Sequence, residues 1–378
     1  MSSRTPLDIP ELLGNCLISL ADHPGTLLAC SLVARSWVDT TQSLLFRAPH
    51  RTAHTFSYSD DAVLCFCDAL NCSYRLIRHV RELSIIESEI QVSTLQMLCS
   101  IPFTRLEILS VAANDPPQLA GICRPLLALP SLQTLNLTTG SRFAPCLHFL
   151  TLCPSIQHLR LLYDGPDDEP PTLPLQAHPI RLKSLSLNFL HHTDYVRPQS
   201  LHPTAFPLVD LSNLKALEIV EEKYIDWQTL SLATRQSIKF YDVHLWDSPG
   251  INLSLFPNLS VLRIVGTGET WSPIISTLRT LSDTEPPRQS IQTLVLNVQS
   301  MDMQFERDNC APLDRLLCSA TLSRAGIQFE MDSEWNNNAL EESLRKAFLA
   351  VVAQKRFQIV SRSWAMRQSW RKDVIDSL

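Results

Sequence analysis

The sequence predicts an α/β protein. A short three-helix segment at the start is followed by an irregular leucine-rich-repeat solenoid, with one strand plus a short helix or loop per repeat. Three observations predict it. A six-residue template, apolar-x-x-apolar-x-apolar, returns nine times after residue 80. Each copy ends in an alternation with the period of a half-buried strand. Between copies lie leucine-rich stretches of about 8–10 residues, long enough for one short helix each.

Composition sets the bounds. The 378 residues are 45% apolar and 19% charged, which suits a folded chain of two or more domains or one elongated repeat domain. A net charge of −6 gives no global electrostatic case for nucleic acid or an anionic membrane. No apolar run reaches the ~18 residues of a transmembrane helix. The stretch MSSRTPLDIPELL has no basic region followed by an apolar core, so it is not expected to be a secretory signal. The eleven cysteines are odd in number and sit in apolar patterns, as at Cys30, Cys99, Cys153 and Cys318. Reduced core thiols in an intracellular protein are expected rather than a disulfide framework.

Residues 5–48 predict three helices. Asp8 suits a cap, Pro10 a first turn and Glu11 the positive end of the helix dipole. Leu13, Leu17 and Leu20 then recur at helical spacing. His23-Pro24-Gly25 breaks the chain, and Thr26 suits the cap of a second helix, with Leu28, Leu32 and Val33 on one face and Arg35-Ser36 at its end. Trp37, Leu44, Leu45 and Phe46 mark a third, stopped by Pro49. So small a unit buries too little apolar surface to stand comfortably alone. Its apolar face either caps the domain that follows or docks another protein.

Residues 49–79 predict a linking and capping helix with Val63, Phe66, Leu70, Ile77 and Val80 near one side. The template fills 80–331: VRELSI (80–85), LEILSV, LQTLNL, IQHLRL, LKSLSL, LKALEI, IKFYDV, LSVLRI and IQTLVL (291–296), with starts 21 to 32 residues apart. Stacking neighbours buries a face that one repeat cannot bury by itself. An ordinary α/β domain would instead show longer helices and strands apolar without interruption. The asparagine of a regular repeat appears once, as Asn114, while Gly140 and Glu222 stand at equivalent places. The turns must therefore satisfy their backbone groups by other means. A last strand is expected to end at Ile327 and Phe329. Residues 332–378 supply a closing helix at 341–352 and a basic tail.

Few residues suggest chemistry. Cys65, Cys67 and Cys72 raise a zinc reading but lie in a helical pattern without a second pair, so helix thiols are expected. His191-His192, His148 and His158 lack partners at a recognisable spacing. The acidic, proline-rich stretch 163–179 reads as an exposed loop, and the basic stretch 355–372 as a terminal segment that packs Trp364 on the last repeat. No P-loop, GxSxG, HExxH or Rossmann glycine pattern occurs, and nothing sets a nucleophile beside a base. No alternating strand position is chemically distinctive. The sequence therefore predicts no enzyme, no cofactor and no metal.

One resemblance adds to this. Ile9-Pro10-x-Leu12, the Leu17–Leu20 stretch and TLLACSLVARSW (26–37) are similar to an F-box, most closely to the F-box-like segment of large families in mushroom-forming fungi. Ile-Pro stands where that family has Leu-Pro. The resemblance covers about a tenth of the chain, at the 5–48 segment. It implies that Ile9, Pro10, Leu12, Leu17, Leu20, Leu28, Leu32, Val33 and Trp37 engage a Skp-type adaptor, some of them serving the helical core instead. The implied role is a substrate-recruiting adaptor of a cullin ubiquitin ligase, with the repeat face binding an unknown substrate protein. The alternative is a non-ligase scaffold whose helices only cap the repeats.

Overall fold

A computed structural model of the chain describes residues 10–20, 23–47, 60–139, 149–163, 179–189, 209–220, 231–245, 250–267, 271–282, 291–300, 307–331, 337–362 and 364–378. It forms two compact units, Met1–Ile180 and Arg181–Leu378.

The first unit opens with α1 (Pro10–Ile18), α2 (Pro24–Ser31) and α3 (Arg35–Arg47). Leu13, Leu17 and Leu27 form their core, closed by Leu20, Cys30, Trp37, Leu44 and Leu45. Two expectations change in detail. His23, not Thr26, stands at the N-cap of α2, with Pro24 in its first turn. Arg35 and Ser36 begin α3 rather than end α2, because the chain turns at Leu32-Val33, where both amides bond back to Ala29 and Cys30. The single helix expected over 60–80 is two, α4 (Asp60–Cys72) and α5 (Tyr74–Ile77), broken at Ser73.

Four parallel strands follow in sequence order: β1 (Glu82–Ile86), β2 (Ile108–Ala113), β3 (Thr134–Thr139) and β4 (His158–Tyr163). Their register aligns Leu83, Leu109, Leu135 and Leu159 in one row and Ile85, Val111, Leu137 and Leu161 in the next, all buried. Helices α6 (Val92–Ser100) and α7 (Pro116–Leu127) connect β1 to β2 and β2 to β3. The Asp115 carboxylate caps α7 at the Gln118 amide. The Glu87 carboxylate accepts from the amides of Asn114 and Asp115, so an acidic side chain serves the turn at Asn114. The Arg81 amide donates to the Arg47 carbonyl, tying the end of α3 to the start of the sheet.

The second unit holds seven parallel strands, again in sequence order: β5 (Ser184–Phe189), β6 (Ala216–Val220), β7 (Phe240–Leu245), β8 (Val261–Thr267), β9 (Thr293–Ser300), β10 (Gly326–Met331) and β11 (Phe357–Ser361). Its helices are α8 (Leu232–Ser237), α9 (Ser272–Ser282), α10 (Arg307–Leu317), α11 (Asn337–Ala347), α12 (Leu349–Ala353) and α13 (Trp364–Ser377). Trp271, Phe329 and Phe348 pack ring against ring in its core.

The expected class, an F-box-like segment followed by a leucine-rich-repeat solenoid, is corrected here. Among the described residues the chain is an α/β protein with eleven strands in a large parallel-sheet architecture, plus a separate pair of two-residue strands, Ile180–Arg181 and Val209–Asp210. The finding that decides it is burial on both sheet faces. Residues 216–219, 240–243 and 261–266 are buried without interruption, as parallel strands covered on both sides are. Four connecting helices run to 11 or 12 residues, longer than the expected short helices. The template marked where strands lie, and its first apolar place, from Val80 and Leu106 to Ile291, is buried in every copy. That place reports the turn into a parallel strand, a feature common to parallel sheets rather than diagnostic of one repeat family. The sheet also continues past 331: residues expected to be a tail form β11, which pairs with β10.

Candidate functional site

Two surfaces stand out among the described residues. The first is on the N-terminal helices. Of nine large apolar side chains exposed among the described residues, five fall between positions 12 and 33: Leu12 (44% exposed), Ile18 (56%), Leu28 (59%), Leu32 (83%) and Val33 (67%). Exposed apolar side chains gathered this way mark interaction sites more often than scattered ones do.

The structure divides the nine sequence-predicted residues. Leu12, Leu28, Leu32 and Val33 point outward, whereas Leu17 is 4% exposed and belongs to the core. Leu20 and Trp37 are half-buried against that core. Pro10 opens α1, and its side chain, like all of Ile9, lies outside the described residues. Ile18 was missed. Its signal was its place one residue off the Leu13–Leu17–Leu20 stripe, where an apolar residue has no internal partner to meet.

The second surface is the other face of the strands. In the first unit, Ser84, Ser110, Asn136 and Arg160 share one register row and are all half-buried. Asn136 Nδ2 donates to Ser110 Oγ at 2.9 Å. This row places hydroxyl, amide and guanidinium groups side by side on one half-buried face.

In the second unit the equivalent face is covered by α13 of the same chain. Ile375 packs with Ala216, Phe240 and Val261, joined by Trp370, Val374 and Leu378. Trp370 meets Phe240 edge-on at 5.9 Å, and the Arg362 guanidinium lies 4.4 Å over the Trp370 ring. Beneath the helix runs a buried charged row. Arg263 Nη1 donates to Asp242 Oδ1 at 2.9 Å, and its Nε to Glu330 Oε2 at 3.0 Å. Arg362 adds a 3.3 Å bond to Glu330, and Arg371 pairs with Glu218, which also accepts from Ser186. Burial alone would lower the pKa of Arg263, but Asp242 and Glu330 outweigh it and hold the guanidinium above its ordinary value. The basic stretch 355–372 therefore neutralises carboxylates of its own sheet. Trp364 opens α13, but its side chain lies outside the described residues, and Trp370 is the ring that packs.

No family model matches this sequence, and no curated protein matches it. Among the described residues no group of three or more His, Cys, Asp or Glu is placed to hold a metal ion. Cys65, Cys67 and Cys72 lie on α4, with Cys67 buried and the other two exposed. Burial pushes the Cys67 thiol up to about 11, so it carries no nucleophilic thiolate near neutrality. His158 lies on β4, while His148, His191, His192 and residues 164–178 fall outside the described residues. Also among the described residues, no helix is long and apolar enough to cross a membrane.

His244 links this buried row to pH. Burial lowers its pKa from 6.5, Asp242 and Glu218 oppose the shift, and Arg263 and Arg371 reinforce it. A depressed histidine pKa means that the unfolded chain binds the proton first, so stability falls as pH drops below 6.5. The slope from one such group is at most ~1.4 kcal/mol per pH unit, ending at the folded pKa. His244→Asn is expected to flatten the pH dependence of the unfolding free energy just below pH 6.5. An unchanged slope in urea titrations would clear His244 of that role.

Proposed function

We propose that the chain is a non-enzymatic adaptor. Helices α1 and α2 dock a Skp-type adaptor of a cullin ubiquitin ligase, and the polar strand face of the first unit receives a substrate protein. The mechanism is proximity: a tethered substrate meets the transfer machinery at high effective concentration. The observation that carries this reading is the outward set Leu12, Ile18, Leu28, Leu32 and Val33 on a small helical unit with its own core. The scaffold alternative requires Leu28, Leu32 and Trp37 to be buried against residues 49–100. Leu28 and Leu32 are exposed, and Trp37 packs on the helical core instead, which favours docking.

The test is coexpression of the full chain with a Skp-type adaptor from a mushroom-forming fungus. A stable one-to-one complex is expected by size exclusion with light scattering. Leu28→Ala with Leu32→Ala should abolish it, at ~2 kcal/mol or more per anchor, while the melting temperature hardly moves because both side chains are exposed. A well-folded wild type that forms no complex removes the ligase reading.

A further inference from the structure

We propose that the first unit contains a binding site for a phosphate group, free or carried as a monoester, in the pocket where α3 meets the turn after α5 and the segment before β2. The pocket has a volume of about 420 Å³ and is lined by Asp39, Thr40 and Ser43 from α3, by Arg78, His79 and Arg81, and by Arg105. This site does not rest on the docking reading above.

Three guanidiniums converge on one cavity, and their forks suit a tetrahedral oxyanion better than a single point charge would. Two are partly engaged: Arg81 Nη1 donates to Glu107 Oε1 at 2.5 Å, and Arg78 Nη2 to Asp39 Oδ1 at 2.5 Å. Arg105 is exposed and has no ion-pair partner among the described residues. Counting Asp39 and Glu107 against the three arginines leaves one positive charge uncompensated before any ligand arrives.

The position of the anion is already marked. Asp39 Oδ1 meets the Arg78 guanidinium and lies 3.4 Å from His79 Nε2, which itself accepts from Arg78 Nε at 3.4 Å. An internal carboxylate thus occupies the place of one phosphate oxygen. That carboxylate is 69% exposed, so it can swing into water at little cost. A phosphoryl group brings about two charges and three acceptor oxygens. At the Asp39 position it shares the pocket wall with Arg105, with Arg81, whose fork is only partly taken by Glu107, and with Thr40 and Ser43. Burial holds the His79 imidazole below its ordinary pKa. Asp39 opposes that shift, while Arg78 and Arg105 add to it. A dianion beside the ring reverses the balance.

The test uses the full chain and isothermal titration with inorganic phosphate, O-phosphoserine in a short neutral peptide, and the unphosphorylated peptide. Saturable binding of one phosphoryl group per chain is expected. Arg105→Ala should weaken it roughly tenfold or more, and Asp39→Asn should tighten it several-fold, because the competing carboxylate is gone. Histidine NMR should show the His79 pKa rising on saturation in the wild type. Phosphopeptide binding tighter than that of free phosphate identifies a phosphorylated protein segment as the source; similar affinities identify the free ion. No saturable heat with well-folded protein, affinity indifferent to Arg105, or weaker binding in Asp39→Asn each overturns the site.

Discussion

Arg263→Leu is expected to destabilise the second unit by about 3–5 kcal/mol, the range for removing one partner of a buried ion pair. Asp242 accepts two bonds from Nη1, at 2.9 and 3.1 Å, and both are lost. Glu330 loses bonds at 3.0 and 3.2 Å but keeps Arg362 and Asn297, each at 3.3 Å. The penalty therefore falls mainly on Asp242, left without its cation at 3% exposure. Urea denaturation should show a lower midpoint with little change in slope. Adding Asp242→Asn should return a large part of the loss, since an amide beside leucine demands no cation. A midpoint equal to wild type in the single variant would mean that water or neighbours already satisfy Asp242.

Ending the chain at Arg362 is expected to have a larger effect still. Without α13, Phe240, Ala216 and Val261 lose their cover of Ile375 and Trp370. Each large apolar side chain returned to water forgoes about 1.5–3 kcal/mol. Glu218 also loses Arg371. Together these exceed ~5 kcal/mol, comparable to the whole stability of an ordinary domain. Hydrogen exchange should show β6, β7 and β8 unprotected in the shortened chain, while β1 to β3 keep their protection. Protection of β6–β8 equal to that of the full chain would reduce α13 to an ornament of the surface. The double change Arg371→Leu with Glu218→Leu separates the two causes, because it removes the charge pair and leaves the helix in place.

Local features of this molecule were legible in the sequence. The Leu13–Leu17 stripe is core, and the template residues Val80, Leu106, Leu132 and Leu259 are all buried. These follow from spacing over a few residues. The errors arose where the deciding contact was remote. Burial of β6–β8 on the second face depends on a helix more than a hundred residues later, so alternation in that stretch hid a strand covered on both sides. Glu218, Asp242, Arg263 and Glu330 looked like ordinary variable strand positions because Arg371 and Arg362 lie far along the chain. The pocket was invisible for the same reason, with Asp39 and Arg78 separated by 39 residues. The division of the docking residues was half legible: the helical stripe identified the core, and the outward set followed only once Leu32 and Val33 were found in a turn.

The placement of α13 has a consequence during synthesis. Protein chains leave the ribosome from the N-terminus, and domains fold as their residues emerge. The strands from β5 to β11 are all translated before the residues that neutralise Glu218 and cover Phe240. The second unit therefore waits, with a sticky sheet face on which Glu218 has yet to meet Arg371, for α13 to be released. Cells carrying an early stop codon in this stretch would accumulate a nascent product that chaperones and proteases read as unfinished, even though every strand from β1 to β11 had been made.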